Sequence, residues 1–360
     1  MNDNKDLIFL GSFFPSNRIE DIWTNSKGPM VISADTFQKA LLRGWAYHNF
    51  SLDIITLPCV GSFPQRYRTP IFKESKFKYN GKENICLGFL NLTYIKRYSI
   101  LYNATKFLKE WVQDRNGQKI ILVYGLLPSY LKAALSTKKV DPNVKIVTIV
   151  LDLPEYFGES NSLFSQLYFK WFMSKRYRKM YNLIDAYILL TKQMVEYLMI
   201  KDKPYVVIEG IYDNENNINV NKSEKKAILY TGKLDKRFGL EFLLEAFNLI
   251  KEDYELWICG EGSMKSTVLN YANNDRRIKY YGLIKREDVL VLQKKATLLI
   301  NPRRPDAEYT KYSFPSKTME YMASGTPTVM YHLPCIPPEY DDFLIYIPDI
   351  SIKSLCTTVV

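Results

Sequence analysis

Two doubly wound α/β domains facing a cleft are predicted, and three observations predict them. Short buried strands alternate with amphipathic helices from residue 7 onward. A polar, Asn-rich stretch, Asp213 to Lys226, interrupts that alternation, and the same pattern restarts behind it. The 360 residues also exceed what a single ordinary core takes. The expected division is residues 1–210, a linker over 211–226, and a second domain over 227–360.

In the first half, Leu7–Gly11 reads as a buried strand ending in Gly, and Thr36 to Trp45 has helical periodicity. Asp53–Leu57 and Lys119–Val123 are further strands, the latter closing at Tyr124-Gly125 before a helix from Ser129 to Leu135. Lys145–Leu151 ends at Asp152-Leu153-Pro154, and Ala186–Leu190 and Tyr205–Ile208 complete the series. Parallel sheets bind ligands at the carboxyl ends of their strands, so Gly11, Tyr124 and Asp152 mark a candidate crevice. In the second half the strands are Ala227–Tyr230, Glu255–Cys259, Ile278–Tyr281, Thr297–Ile300 and Thr328–Tyr331. The helices between them are Leu240–Ile250, Arg286–Lys294 and Thr318–Ser324, the last stopped by Gly325-Thr326-Pro327.

Composition narrows the class. Hydrophobic residues are 47% and charged residues 24%, a globular balance. The formal net charge of +11 attracts anions, whether nucleotide, nucleic acid or acidic membrane face. No nucleic-acid recognition motif accompanies it, so nucleic acid is not expected as a partner. The five Cys are widely spaced without a CxxC, and only two His are present, so neither a disulfide framework nor a metal site is expected. No signal peptide is evident and no run reaches the ~18 apolar residues of a membrane span, so a cytoplasmic location is expected. The stretch Phe164 to Tyr181 is aromatic and basic. It reads either as a helix lying in an anionic membrane interface or as an ordinary packing helix with a solvated charged end.

The segment from Tyr312 to Val329 carries the most chemistry: Tyr-Ser-Phe-Pro-Ser-Lys-Thr-Met-Glu-Tyr-Met-Ala-Ser-Gly-Thr-Pro-Thr-Val. Ser316 precedes a helix, whose first N–H groups form an anion site, and Lys317 adds a positive charge there. Glu320, one turn on, is placed to accept the two hydroxyls of a ribose. A plainer account also fits: Ser316 as a helix cap and Glu320 as an exposed helix residue.

This string resembles the donor-site signature of family-4 glycosyltransferases. Tyr230-Thr-Gly-Lys-Leu-Asp-Lys-Arg-Phe-Gly-Leu-Glu-Phe-Leu-Leu-Glu-Ala-Phe247 resembles the strand, loop and helix that open that family's donor domain, and Trp257-Ile-Cys-Gly-Glu-Gly262 its next strand and glycine turn. Leu151 to Tyr156, Asp185 to Met194 and Val207 to Gly210 resemble segments of capsule and exopolysaccharide members. The resemblance implies a GT-B fold and a retaining transferase using a nucleotide-sugar, UDP by default, without a metal. It further implies a lipid-linked saccharide acceptor and peripheral contact with the inner membrane leaflet.

By that resemblance Lys233 matches the first of two cations holding the donor diphosphate. The second should directly precede Gly239, where Phe238 stands, and Arg237 is one residue early. Gly232, Gly260, Glu261, Ser316, Lys317 and Glu320 are implied at the donor, while Gly11 and Tyr124, marked by their strand ends, fall on the acceptor side. The family's first Glu falls on Tyr312, and Leu151 takes the place of its acceptor-domain His, leaving Asp152 as the candidate carboxylate. Asp152 also fits a turn before Leu-Pro. The C-terminal helices of the fold look shortened, which implies reduced stability. The departures at Phe238 and Tyr312 also fit a donor-binding or scaffold protein without turnover.

Overall fold

A computed structural model describes residues 5–28, 30, 32–153, 174–212 and 220–360. The chain divides into two compact units, Met1–Ile211 and Tyr212–Val360.

The first unit runs β1 (Lys5–Gly11), α1 (Ile19–Asn25), α2 (Ile32–Tyr47), β2 (Asp53–Thr56), β3 (Ile71–Phe72), β4 (Ser75–Tyr79), β5 (Lys82–Cys86), β6 (Phe89–Leu90) and α3 (Lys96–Gln113). It continues with β7 (Gln118–Tyr124), α4 (Pro128–Ser136), β8 (Lys145–Val150), α5 (Ser174–Tyr181), β9 (Ala186–Leu189), α6 (Met194–Leu198) and β10 (Tyr205–Val207). Its eight-stranded sheet has the order β10-β9-β8-β7-β1-β2-β5-β4. Pairing is parallel except at the edge, where β4 and β5 form an antiparallel hairpin. That hairpin departs from the expected all-parallel sheet. Its turn is Asn80-Gly81, both with positive φ, as a tight hairpin demands.

The helix α3 is absent from the sequence reading although it has 18 residues. Ile100, Ala104, Leu108, Trp111 and Val112 form its buried stripe. Trp111 Nε1 donates to Asp53 Oδ2 at 2.8 Å, and Arg115 joins the same oxygen at 3.0 Å. Burial alone would raise the Asp53 carboxyl. The bonds from Trp111 and Arg115, with the charges of Lys82 and Arg115, prevail and hold it below its ordinary value.

Most of the aromatic, basic stretch 164–181 lies outside the described residues. At its end, Tyr177, Met180 and Tyr181 are buried, so there the apolar face packs inward.

The second unit runs β11 (Lys226–Thr231), α7 (Leu240–Leu249), β12 (Tyr254–Cys259), α8 (Lys265–Asn274), β13 (Ile278–Gly282), α9 (Arg286–Lys295), β14 (Leu298–Asn301), α10 (Ser316–Ala323), β15 (Thr328–Tyr331), β16 (Ile345–Ile347) and α11 (Ile352–Val359). The six strands are all parallel in the order β13-β12-β11-β14-β15-β16. Ile228, Leu229, Ile258, Leu299, Ile300 and Val329 are fully enclosed. Each such side chain contributes roughly 1.5–3 kcal/mol by leaving water, as an upper estimate. Of the expected linker, residues 213–219 lie outside the described residues. Lys222 beyond them is not free: its Nζ donates to Ala296 O and Thr326 Oγ1, both at 2.7 Å. Among the described residues no helix is long and apolar enough to cross a membrane.

Candidate functional site

In the second sheet the winding direction reverses between β11 and β14, and their carboxyl ends, Thr231 and Asn301, flank the switch point where such folds bind ligands. Glycines let the loops there interlock. Gly260, at φ +138°, approaches Gly232 so closely that a Cβ would stand 1.7 Å from its carbonyl oxygen. Gly239, at φ +75°, leaves the same lack of room against Pro302 O, at 1.9 Å. Main-chain bonds reinforce the seam: Gly232 N donates to Cys259 O at 2.9 Å and Leu234 N to Glu261 O at 2.9 Å. The loops after β11, β12 and β14 therefore form one backbone-defined floor.

The helix α10 closes one side. It begins at Ser316 with Pro315 as the cap residue, and no side chain caps it. The reading of Ser316 as a capping residue is thereby overturned: it already sits in the first turn. Lys317 lies across the floor, its Cε 3.4 Å from where a Gly232 Cβ would be and its Nζ 3.4 Å from Thr231 Oγ1. Burial lowers the pKa of its ammonium, opposed by the nearby Glu320 carboxylate. Glu320 is not a solvated helix residue either. Gln293 Nε2 donates to its Oε1 at 2.6 Å, and Arg286 Nε stands 3.8 Å from Oε2. Gln293 and Arg286 are seven residues apart on α9, on one helical face. They hold the carboxylate in place.

Beneath the floor, the fully enclosed Tyr321 is bound to the end of β11. Its hydroxyl accepts from Thr231 N at 2.9 Å and lies 2.9 Å from Thr231 Oγ1. Thr231 is the residue before Gly232, so this bond sets where the loop departs.

Lys233 is exposed, and its carbonyl accepts from the Tyr230 hydroxyl at 2.8 Å. Arg237 is engaged with Asp235 through Nε and Nη2 at 3.1 and 3.0 Å. The Arg237 guanidinium bonded to it holds the Asp235 carboxyl below its ordinary value, with Lys233 adding its charge. Glu261 is likewise paired, with Lys265 Nζ at 2.7 Å. Tyr312 follows a one-turn helix, Glu308–Lys311, and is half-buried.

Arg303, which the sequence reading passed over, follows β14 by two residues. It is 4% exposed, its guanidinium lies 4.6 Å from the Tyr309 ring centroid, and its Nε and Nη2 have no hydrogen-bond partner among the described residues. The Tyr309 hydroxyl in turn donates to Arg237 O at 2.9 Å. Two arginines directly after a strand's carboxyl end were the signal that could have marked this loop. Gln293 and Tyr321 left no comparable signal, because their partners are 27 and 90 residues away.

In the first unit, β1 pairs with β7 up to Leu10 and Val123, which sets Gly11 beside Tyr124 at that sheet's own switch point. The loop after Gly11 is stitched to α2. The fully buried Gln38 accepts from Ser12 N at 2.7 Å, and Asp35 Oδ1 accepts from Phe14 N at 2.7 Å. Burial pushes the Tyr124 hydroxyl far above its ordinary value, and the charge of Asp152 adds to the shift. Tyr124 is therefore a neutral hydrogen-bonding group. Asp152 is exposed just past β8.

Among the described residues no cluster of three or more His, Cys, Asp or Glu could hold a metal ion. A cavity of about 290 Å³ lies at the opposite, amino-terminal end of β11 and β12, lined by Lys226, Glu252, Tyr254 and Val360 among others, away from all these residues.

Residues 225–352 match the family described as Glycosyl transferases group 1. No curated protein matches the chain as a sequence. Solved structures do match its fold. The lipopolysaccharide outer core galactosyltransferase WaaB, in apo form, aligns at a TM-score of 0.60 with 14% identity over 99% of this chain and 89% of that one. Sucrose-phosphate synthase from Thermosynechococcus elongatus aligns at 0.58 with 17% identity over 98% and 88%. An α,α-trehalose-phosphate synthase (UDP-forming) from Burkholderia xenovorans aligns at 0.62 with 10% identity over 98% and 91%. The chain thus has the GT-B fold, and the group 1 glycosyl transferase match falls within its second unit.

Proposed function

We propose that this chain is a retaining glycosyltransferase that moves a sugar from a nucleotide-sugar to a membrane-borne, lipid-linked saccharide in surface-polysaccharide assembly. One observation carries the reading. At the switch point of a domain that matches the group 1 glycosyl transferases, Lys317 at the start of α10 lies across a glycine-locked floor, with Glu320 one helical turn on.

In this scheme the α10 amino terminus and Lys317 receive the diphosphate, with Lys233 at its exposed side. Glu320, held by Gln293 and Arg286, takes the ribose hydroxyls. As the C1–oxygen bond to phosphate breaks, the diphosphate gains a charge, and cations already in place stabilise it without rearrangement. The acceptor oxygen bonds to C1 on the face the phosphate leaves, and its proton passes to the departing phosphate oxygen. No protein base is needed, which suits a Tyr, not a carboxylate, at position 312. UDP is the proposed nucleotide.

The test is a thermal-shift screen against UDP-, GDP- and TDP-sugars with Lys317→Ala, Glu320→Ala and Gln293→Leu. A ligand at ~100 times its Kd adds about 2.7 kcal/mol. One nucleotide class should stabilise the native chain, with the shift lost in the first two variants and reduced in the third. No shift with any class refutes donor use. Product of inverted anomeric configuration by NMR refutes retention. A second reading, donor binding without turnover, is favoured by Tyr312 and would show as a nucleotide shift with no sugar transferred to any lipid-linked acceptor.

A further inference from the structure

The outer face of α3 and the turn that leads into it carry large side chains that no described residue of the first unit covers. Tyr94 is 83% exposed, Ile95 47%, Tyr98 59% and Tyr102 70%. Positions 95, 98, 102, 106 and 109 follow helical spacing along one face, and the last two are Lys. Buried Ile100, Ala104 and Leu108 anchor the opposite side. The stripe continues sideways onto the small sheet. Leu90 N bonds to Ser99 Oγ at 2.9 Å, which sets the exposed Leu90 beside the helix, and Leu90 pairs across the ladder with the exposed Ile71.

The charge of this stretch is one-sided. Residues 61–113, through the end of α3, hold ten Lys or Arg and three Glu. Of the three acids, Glu83 is paired with Lys76 at 2.6 Å. Arg97 lies over the Tyr98 ring at 4.8 Å and reaches its hydroxyl at 3.0 Å. Lys73 and Lys106 are exposed at the margins.

We infer that this face, Ile71, Leu90, Tyr94, Ile95, Tyr98 and Tyr102 with Arg97 and Lys106, docks the chain on an anionic lipid bilayer. Tyrosines favour the boundary between headgroup and acyl chain, because the ring is apolar and the hydroxyl stays hydrated. Lysine stems cover apolar surface while their ammoniums meet lipid phosphates. A helix lying in the plane with Tyr, Ile and Lys on its outer face satisfies both demands. The assignment rests on the reading of a membrane-borne acceptor. It differs in placing the contact on α3, not on the stretch 164–181.

The test uses the full chain and vesicles free of any glycolipid: pure phosphatidylcholine, and phosphatidylcholine with phosphatidylglycerol. The native chain should sediment with the anionic vesicles at low salt, weakly with the neutral ones, and be released by high salt. Tyr94→Ser/Tyr98→Ser/Tyr102→Ser should abolish sedimentation. Arg97→Gln and Lys106→Gln should each weaken it about fivefold. All these side chains are exposed, so the thermal unfolding midpoint should stay at the native value. Failure to bind anionic vesicles, or binding unchanged in the triple variant, overturns the inference. If the triple variant still binds vesicles but loses transfer to a soluble acceptor, the tyrosines are a saccharide platform and the inference also fails. Nucleotide stabilisation is measured separately, so failure of the donor reading is distinguishable from failure here.

Discussion

Replacing Tyr321 by Phe removes one oxygen from the centre of the second unit and leaves every carbon in place. That oxygen accepts the Thr231 N–H at 2.9 Å and lies 2.9 Å from Thr231 Oγ1 and 3.2 Å from Thr231 O. Tyr321 is 1% and Thr231 2% exposed, so water does not replace it without rearrangement. The loss leaves a buried donor unpaired, which costs about 1–3 kcal/mol. For a unit of this size each kcal/mol lowers Tm by roughly 2–4 °C, so calorimetry should show a drop of roughly 2–12 °C. Thr231 also fixes the departure of Gly232 and stands under Lys317, so nucleotide binding should weaken in parallel. Tyr230→Phe is the control. Its hydroxyl donates to the carbonyl of exposed Lys233, which water can reach, and the cost should fall at or below the low end of that range. If Tyr321→Phe melts with the native chain and binds nucleotide unchanged, the idea that this bond places the site floor is wrong.

Two further expectations concern buried cations. The ammonium of Lys317 has its pKa lowered from 10.5 by burial. Below the lowered value it is charged both folded and unfolded, and the folded state bears the desolvation cost. As pH rises through that value the folded state releases its proton first, so stability increases toward pH 10.5, while affinity for a diphosphate falls. Titration of UDP across the alkaline range should show this fall, and Lys317→Arg, charged throughout, should remove it. Arg303 presents the simpler case of an enclosed charge with unpartnered nitrogens. Arg303→Met gives up the stacking on Tyr309 but removes the desolvation cost, so urea unfolding should show equal or greater stability, by up to about 3 kcal/mol. A loss larger than 1 kcal/mol would mean the guanidinium is paired after all.

Much of the frame was legible in the residues themselves. Strands such as Lys145–Val150 and Tyr254–Cys259 are buried on both faces along most of their length, so they read as largely apolar runs, broken only by Thr148 in the one and Glu255 in the other. The signature from Phe314 to Gly325 was legible for a related reason. A helix start, a Lys and a Glu one turn on are a local arrangement, and local spacing fixes their relation. The segments that escaped were amphipathic in ways the sequence hides. In α3 the exposed Tyr98 and Tyr102 mask the period of the buried Ile100, Ala104 and Leu108. In the hairpin Ser75–Cys86, Lys residues surround the one buried ring, Phe77.

Sequence alone determined most of the parallel strands, that they wind as two α/β halves, and that one loop-to-helix segment carries a Lys and a Glu one helical turn apart. The tertiary structure decided the state of those groups. It placed Ser316 inside the helix, lowered Lys317 by burial, clasped Glu320 with Gln293, and enclosed Arg303 against Tyr309 with its Nε and Nη2 unbonded among the described residues. It also turned three tyrosines that composition counts as ordinary aromatics into one uncovered face. The physical reason is range. Periodicity and helix spacing act over a few residues. Burial, charge pairing and the close approach of Gly239 to Pro302 join residues tens of positions apart, and only the folded chain brings them within reach.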